Sequence, residues 1–139
     1  MTSISIFNMT EEQLKKIAEV QDFLEQVAPP DDPYLLTERL SWINAYMAWT
    51  GTMLGVATKE LMDAKKAVQI EHFSQLSKMP ATVQKDFVDN MCAEQNARLK
   101  QIDRLNAACT HQGENIRTQI SFIKEQIKLE CSSTPVRNN

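Results

Sequence analysis

Residues 35–68 read LLTERLSWINAYMAWTGTMLGVATKELMDAKKAV, and this stretch decides the fold. Its apolar positions recur at helical spacing, with Leu36, Leu40, Ile43, Met47, Leu54, Leu61 and Val68 on one seam. A second row, Leu35, Trp42, Tyr46, Trp49, Met53 and Val56, lies well round the helix and covers only its first half. A helix with one apolar stripe needs one partner. Two separate rows need two.

The sequence around this helix is all-α in character. Glu, Gln, Lys, Ala, Leu, Met and Ile dominate, and three Gly and five Pro leave little turn chemistry for a sheet. At 139 residues the chain is one domain, large enough for a core without metals or staples. No apolar run approaches the roughly 18 residues that span a bilayer. The three cysteines, Cys92, Cys109 and Cys131, cannot all pair within one chain and form no metal-ligand spacing. With no secretory leader pattern in evidence, a cytoplasmic protein is expected. The net charge of −3 is mild but uneven. Residues 1–32 hold two Lys against seven Asp/Glu, and the rest hold thirteen Lys/Arg against eleven Asp/Glu, so the acidity belongs to the N-terminal segment.

Working outward, residues 1–9 form a leader whose Ile4, Ile6 and Phe7 can lie against the body. Thr10-Glu11-Glu12-Gln13 is a capping box, with Met9 and Leu14 as a hydrophobic staple. Helix 1 spans 10–28, turning Leu14, Ile17, Phe23, Leu24 and Val27 inward, and Pro29-Pro30 stops it. Asp32-Pro33 supplies an N-cap and a proline at the first helical position for helix 2, spanning 33–76. Pro80 breaks the chain before helix 3, spanning 81–129, and 130–139 is a flexible tail.

Helices 2 and 3 are each roughly 60–70 Å long at 1.5 Å per residue, and their short connector makes them antiparallel. With the turn near residue 78, position i faces about 157 − i. That sets Asn106 and Ile102 of the helix 3 seam opposite Gly51 and Gly55, predicting close approach at both glycines, and Gly113 opposite residues 44–46. The expected fold is therefore a long antiparallel two-helix hairpin, coiled-coil-like, with a short N-terminal third helix.

The candidate chemistry is thin. Cys109 falls in the helix 3 seam and His111 on its outer face, so they form neither a nucleophile pair nor a metal site, and His72 is remote from both. Glu11/Glu12 and Asp31/Asp32 flank helix starts, where negative charge favours the dipole. No phosphate loop or nucleophile elbow is present. The sequence implies no enzyme, no cofactor and no metal. Asn106 and Gln95 interrupt the seam, either as polar residues that fix register or as positions meeting water.

Basic residues form two candidate sites for nucleic acid. By the hairpin register Lys59, Lys65 and Lys66 lie alongside Arg98, Lys100 and Arg104 in a mid-hairpin groove, diluted by Asp63, Glu94 and Asp103. Arg117 and Lys124 border the seam near its end. A patch this thin needs oligomerisation to multiply phosphate contacts.

The run Leu105-Asn106-Ala107-Ala108-Cys109, followed by Ile116-Arg117-Thr118-Gln119-Ile120-Ser121-Phe122-Ile123-Lys124, resembles the C-terminal stretch of phage recombination mediators of the UvsY type. The resemblance covers about the final third of the chain and the helix pattern of its middle. It implies a helical oligomer that binds single-stranded DNA and assists a recombinase, with Arg117 and Lys124 in the matching stretch. The acidic helix 1 departs from that family's basic character.

Two functions follow as expectations. The first is an oligomeric accessory protein of DNA recombination or replication that binds single strands and a partner protein. The second is a helical-hairpin adaptor or inhibitor without nucleic-acid binding, in which Trp42, Tyr46, Trp49 and Met53 form the partner or oligomer surface.

Overall fold

Thr10 and Asp32 start their helices as their side chains dictate. The Thr10 hydroxyl accepts from the Gln13 N–H at 3.2 Å while the Thr10 N–H donates to Gln13 Oε1 at 3.0 Å. Asp32 Oδ1 accepts from the N–H groups of Tyr34 and Leu35 at 3.0 and 3.3 Å, with Pro33 opening the helix. The computed structural model describes residues 9–28 and 31–132. It contains α1 (Glu11–Glu25), α2 (Pro33–Glu71), α3 (Phe73–Leu76), α4 (Ala81–Met91) and α5 (Ala93–Ser132), with no strand among these residues. Ile4, Ile6 and Phe7 of the leader, the Pro29-Pro30 stop and tail residues 133–139 lie outside that range. The start of the tail is helical, since α5 continues to Ser132.

The molecule is an all-α helical hairpin in which α2 and α5 pack antiparallel along their length. Asn106 meets Met47 and Thr50, Arg98 meets Glu60, and Arg117 meets Asn44. All fall within about four residues of the expected register. The main core gathers Ile17, Val20 and Leu24 of α1, Leu36, Ile43, Tyr46, Met53 and Ala57 of α2, and Ile102, Leu105, Cys109, Ile116 and Ile123 of α5. Each fully buried Leu or Ile contributes about 1.5–3 kcal/mol.

Several expectations need correction. Neither long helix is continuous: α2 gives way to α3 at His72 (φ −108°, ψ 22°), and α4 gives way to α5 at Cys92 (φ −103°, ψ 23°). Bonds from His72 N–H to Val68 O and from Asn96 N–H to Cys92 O still carry the ladder past each break. Around the breaks, Leu76, Val88 and fully buried Cys92 gather with Leu61 as a second small core at the hairpin tip. Asn96 Nδ2 reaches back to Asp89 O at 3.4 Å, a side chain serving a carbonyl beside the break.

Helix α1 ends at Glu25, leaving Val27 outside it and exposed. Leu14 is also exposed, and the inward positions are Ile17, Val20 and Leu24 with Phe23 packed at their edge.

The glycines behave differently from one another. A Cβ on Gly51 would lie 3.9 Å from Asn106 Nδ2, and one on Gly113 would lie 3.6 Å from Ile43 and 3.8 Å from Leu40. Gly55 has nothing within 4 Å of that position. It faces outward and is not a close-approach site.

Candidate partner-binding surfaces

Two of the six mid-hairpin basic residues, Arg98 and Lys65, face carboxylates. Arg98 is turned inward, 15 % exposed, with its guanidinium 2.5 Å from Glu60 Oε1 and 3.4 Å from Glu94 Oε1. Lys65 faces Asp89 at 3.6 Å. Lys59 and Lys66 on α2 and Lys100 and Arg104 on α5 are exposed. Pairing by residue number places two helices side by side but not the angles of their side chains. Near the far end, Arg117 donates to Asn44 Oδ1 at 3.1 Å, and Lys124 is exposed.

Helix α1 covers the aromatic row at Tyr46 and Trp49. Tyr46 is 6 % exposed and Met53 2 %, so neither offers surface to another chain. The Tyr46 hydroxyl donates to Glu19 Oε1 at 3.1 Å, and its ring meets Phe23 edge-on with centroids 5.1 Å apart. Burial, reinforced by the Glu19 hydrogen bond and charge, raises the Tyr46 pKa. Trp49 packs at the core margin with the Lys16 ammonium 4.9 Å from its ring. Trp42, at half exposure, is the member of the predicted surface that stays open.

Two buried charges that sequence reasoning missed hold α1 in place. One Arg39 guanidinium nitrogen lies within bonding distance of Phe23 O (3.1 Å), Gln26 O (3.0 Å) and Gln112 Oε1 (3.2 Å), and its charge sits 4.5 Å from the Phe23 ring. Gln112 Nε2 donates to Leu24 O at 2.9 Å. Together they satisfy carbonyls that a helix C-terminus leaves free. Burial lowers the Arg39 pKa without threatening its charge. At the other end Glu60, 5 % exposed, accepts from the Met9 N–H at 3.2 Å as well as from Arg98. Arg39 interrupts an apolar seam, and that interruption was the available signal.

Asn106, one of the two polar residues in the seam, bonds to α2 inside the chain. Its Nδ2 donates to Met47 O at 3.1 Å and to the fully buried Thr50 hydroxyl at 3.0 Å. Cys92 and Cys109 are buried and their thiol pKa values are raised by desolvation, whereas His111 is exposed on the outer face. Among the described residues no group of three or more His, Cys, Asp or Glu is gathered as a metal would need. No described helix is long and apolar enough to cross a membrane.

What the structure does build is a cleft at the hairpin tip, of about 540 Å³, between the end of α2, α3 and α4. Leu76 and Val88 form its buried floor, and Phe73, 71 % exposed, stands at its edge. Lys65, Gln69, Gln84, Lys85 and Asp89 supply its polar walls. The Gln84 side-chain amide bonds Leu76 O at 2.6 Å and Met79 O at 2.9 Å, tying the turn to α4 and fixing the cleft's shape. Further large apolar side chains, Met62, Ile70, Val83 and Met91, are exposed on the same end of the hairpin. The cleft therefore combines an apolar floor with mixed polar walls and an exposed aromatic at its edge.

No family model, curated protein or solved structure matches this chain.

Proposed function

We propose that the chain is a non-catalytic, cytoplasmic helical adaptor that binds a partner protein through the tip of its hairpin. The observation that carries this reading is the cleft itself, an apolar floor of Leu76 and Val88 beneath an exposed Phe73. Exposed aromatic side chains beside formed pockets are typical anchors of protein interfaces. The rest of the molecule supports it as a scaffold, since α1 and the α2–α5 hairpin are tied by buried polar contacts. Replacing Phe73, and separately Thr118, with a photo-crosslinking residue tests the idea in the source cell. A discrete adduct from position 73 and none from position 118 is expected. Equal or absent labelling from both positions sinks the adaptor reading.

A second reading keeps the expected single-stranded DNA binding, in line with the UvsY-type resemblance. Its support is that Lys100, Arg104 and Lys124 are exposed cations with no carboxylate partner among the described residues. As a homo-oligomer the chain multiplies that charge, and a recombinase-like protein is then the partner. Gel shift with a long oligo(dT) at low salt, lost steeply as salt rises, is the expected result of this reading. No shift at low salt removes it.

A further inference from the structure

We infer that the hairpin-tip cleft takes an acidic amphipathic helix of the partner protein, its apolar side on Leu76 and Val88 and a carboxylate on Lys85. The inference rests on the adaptor reading and adds the chemistry of the occupant. The cleft volume of about 540 Å³ lies in the range of about 300–1,000 Å³ typical of ligand sites. Its walls come from α2, α3 and α4, and a cleft between helices suits a helix face presenting side chains at i, i+3, i+4 and i+7.

The wall charges choose the sign of the occupant. Lys65 on α2 and Lys85 on α4 line opposite sides, against a single lining carboxylate, Asp89. Asp89 already faces Lys65 at 3.6 Å, with both side chains 39 % exposed. Lys85 has no carboxylate partner among the described residues, and the adjacent Asp86 does not line the cleft. A carboxylate entering over the floor therefore meets one free ammonium and one weakly held ammonium. A cation entering there meets two ammonium groups and an Asp89 already engaged. Complementary rim charge acts mainly on selection of the partner.

Fluorescence anisotropy on the full chain tests this with three labelled model helices of about 15 residues. One carries Leu at helical spacing with Glu elsewhere, the second carries Lys in place of Glu, and the third keeps Glu but has Ser in place of Leu. The acidic amphipathic probe is expected to bind at least about tenfold tighter than the basic one, with the Ser probe not binding. Lys85→Glu, an exposed change, should lower affinity for the acidic probe about tenfold, and Lys85→Arg should keep it. Equal affinity for the acidic and basic probes, or an acidic probe indifferent to Lys85→Glu, overturns the inference. If crosslinking from position 73 persists in that case, the adaptor reading stands and only the occupant's chemistry is wrong. If both fail, both fall.

Discussion

Arg39 and Glu60 stand on the same helix, roughly 30 Å apart at 1.5 Å per residue, and hold opposite ends of α1. The cation meets the C-terminal carbonyls and the carboxylate meets the Met9 N–H just before the N-cap. Each charge therefore complements the α1 dipole at its own end. Glu60 also pairs with Arg98, so the same carboxylate locks α5 to α2. A short helix that would be marginal alone is thereby fixed over the Tyr46 and Met53 row.

Arg39→Met should therefore destabilise the fold by about 2–4 kcal/mol, because three acceptors lose their shared donor inside the protein. Urea titration followed by circular dichroism measures the loss. Glu60→Gln should cost about as much by leaving Arg98 buried without its carboxylate. Costs below about 0.5 kcal/mol for both would mean that α1 is held by apolar contact alone.

Gly55→Ala should stabilise the chain by about 1 kcal/mol, since the site is a mid-helix glycine with open space beside it. Gly51→Ala should gain about as much, because its methyl would make only an ordinary van der Waals contact, 3.9 Å from Asn106 Nδ2. Thermal melts measure both. A loss of stability in Gly55→Ala, growing with protein concentration, would mean that this face is covered by another copy.

Asn106→Ala should cost about 1–2 kcal/mol, the price of leaving the Thr50 hydroxyl short of its buried donor. Pairing Asn106→Leu with Thr50→Val removes both polar partners and should recover much of that loss. The double variant should also hold register less well, visible as broadened amide resonances in α2 and α5. Unchanged, uniformly sharp spectra would deny Asn106 its role in fixing register.

Burial raises the thiol pKa of Cys92 and Cys109 above their ordinary value of 9.0 and that of Tyr46 above 10.0. The folded state then holds these protons more tightly than the unfolded chain, so the contribution is complete below about pH 9 and is lost as pH climbs through the raised values. Urea midpoints measured from pH 7 to 10.5 should fall above pH 9. Combining Cys92→Ala with Cys109→Ala should flatten the early part of that fall. At pH 8 a thiol reagent should label Cys131 quickly and spare the two buried cysteines.

The hairpin was legible because a helix imposes one period on its side chains and a four-residue connector leaves only antiparallel packing. Leu36, Ile43, Ile102 and Cys109 are all fully buried, and the turn position set their register to within about four residues. Helix starts at Thr10 and Asp32 were legible for a local reason, since one side chain satisfies the N–H groups two or three residues on. The candidate sites were less so. Residue numbers put Lys59 beside Arg98, yet the Arg98 guanidinium is turned to Glu60.

The sequence alone therefore determined the all-α class, the helix starts and the antiparallel pairing, because each depends on neighbours in the chain or on a single period. Tertiary structure alone decided the breaks at His72 and Cys92, which lie at a small second core at the tip. It also decided the use of Arg39 and Glu60 as clamps on α1, and the cleft over Leu76 and Val88. Those features depend on angles and distances between segments remote in sequence, which no local pattern encodes.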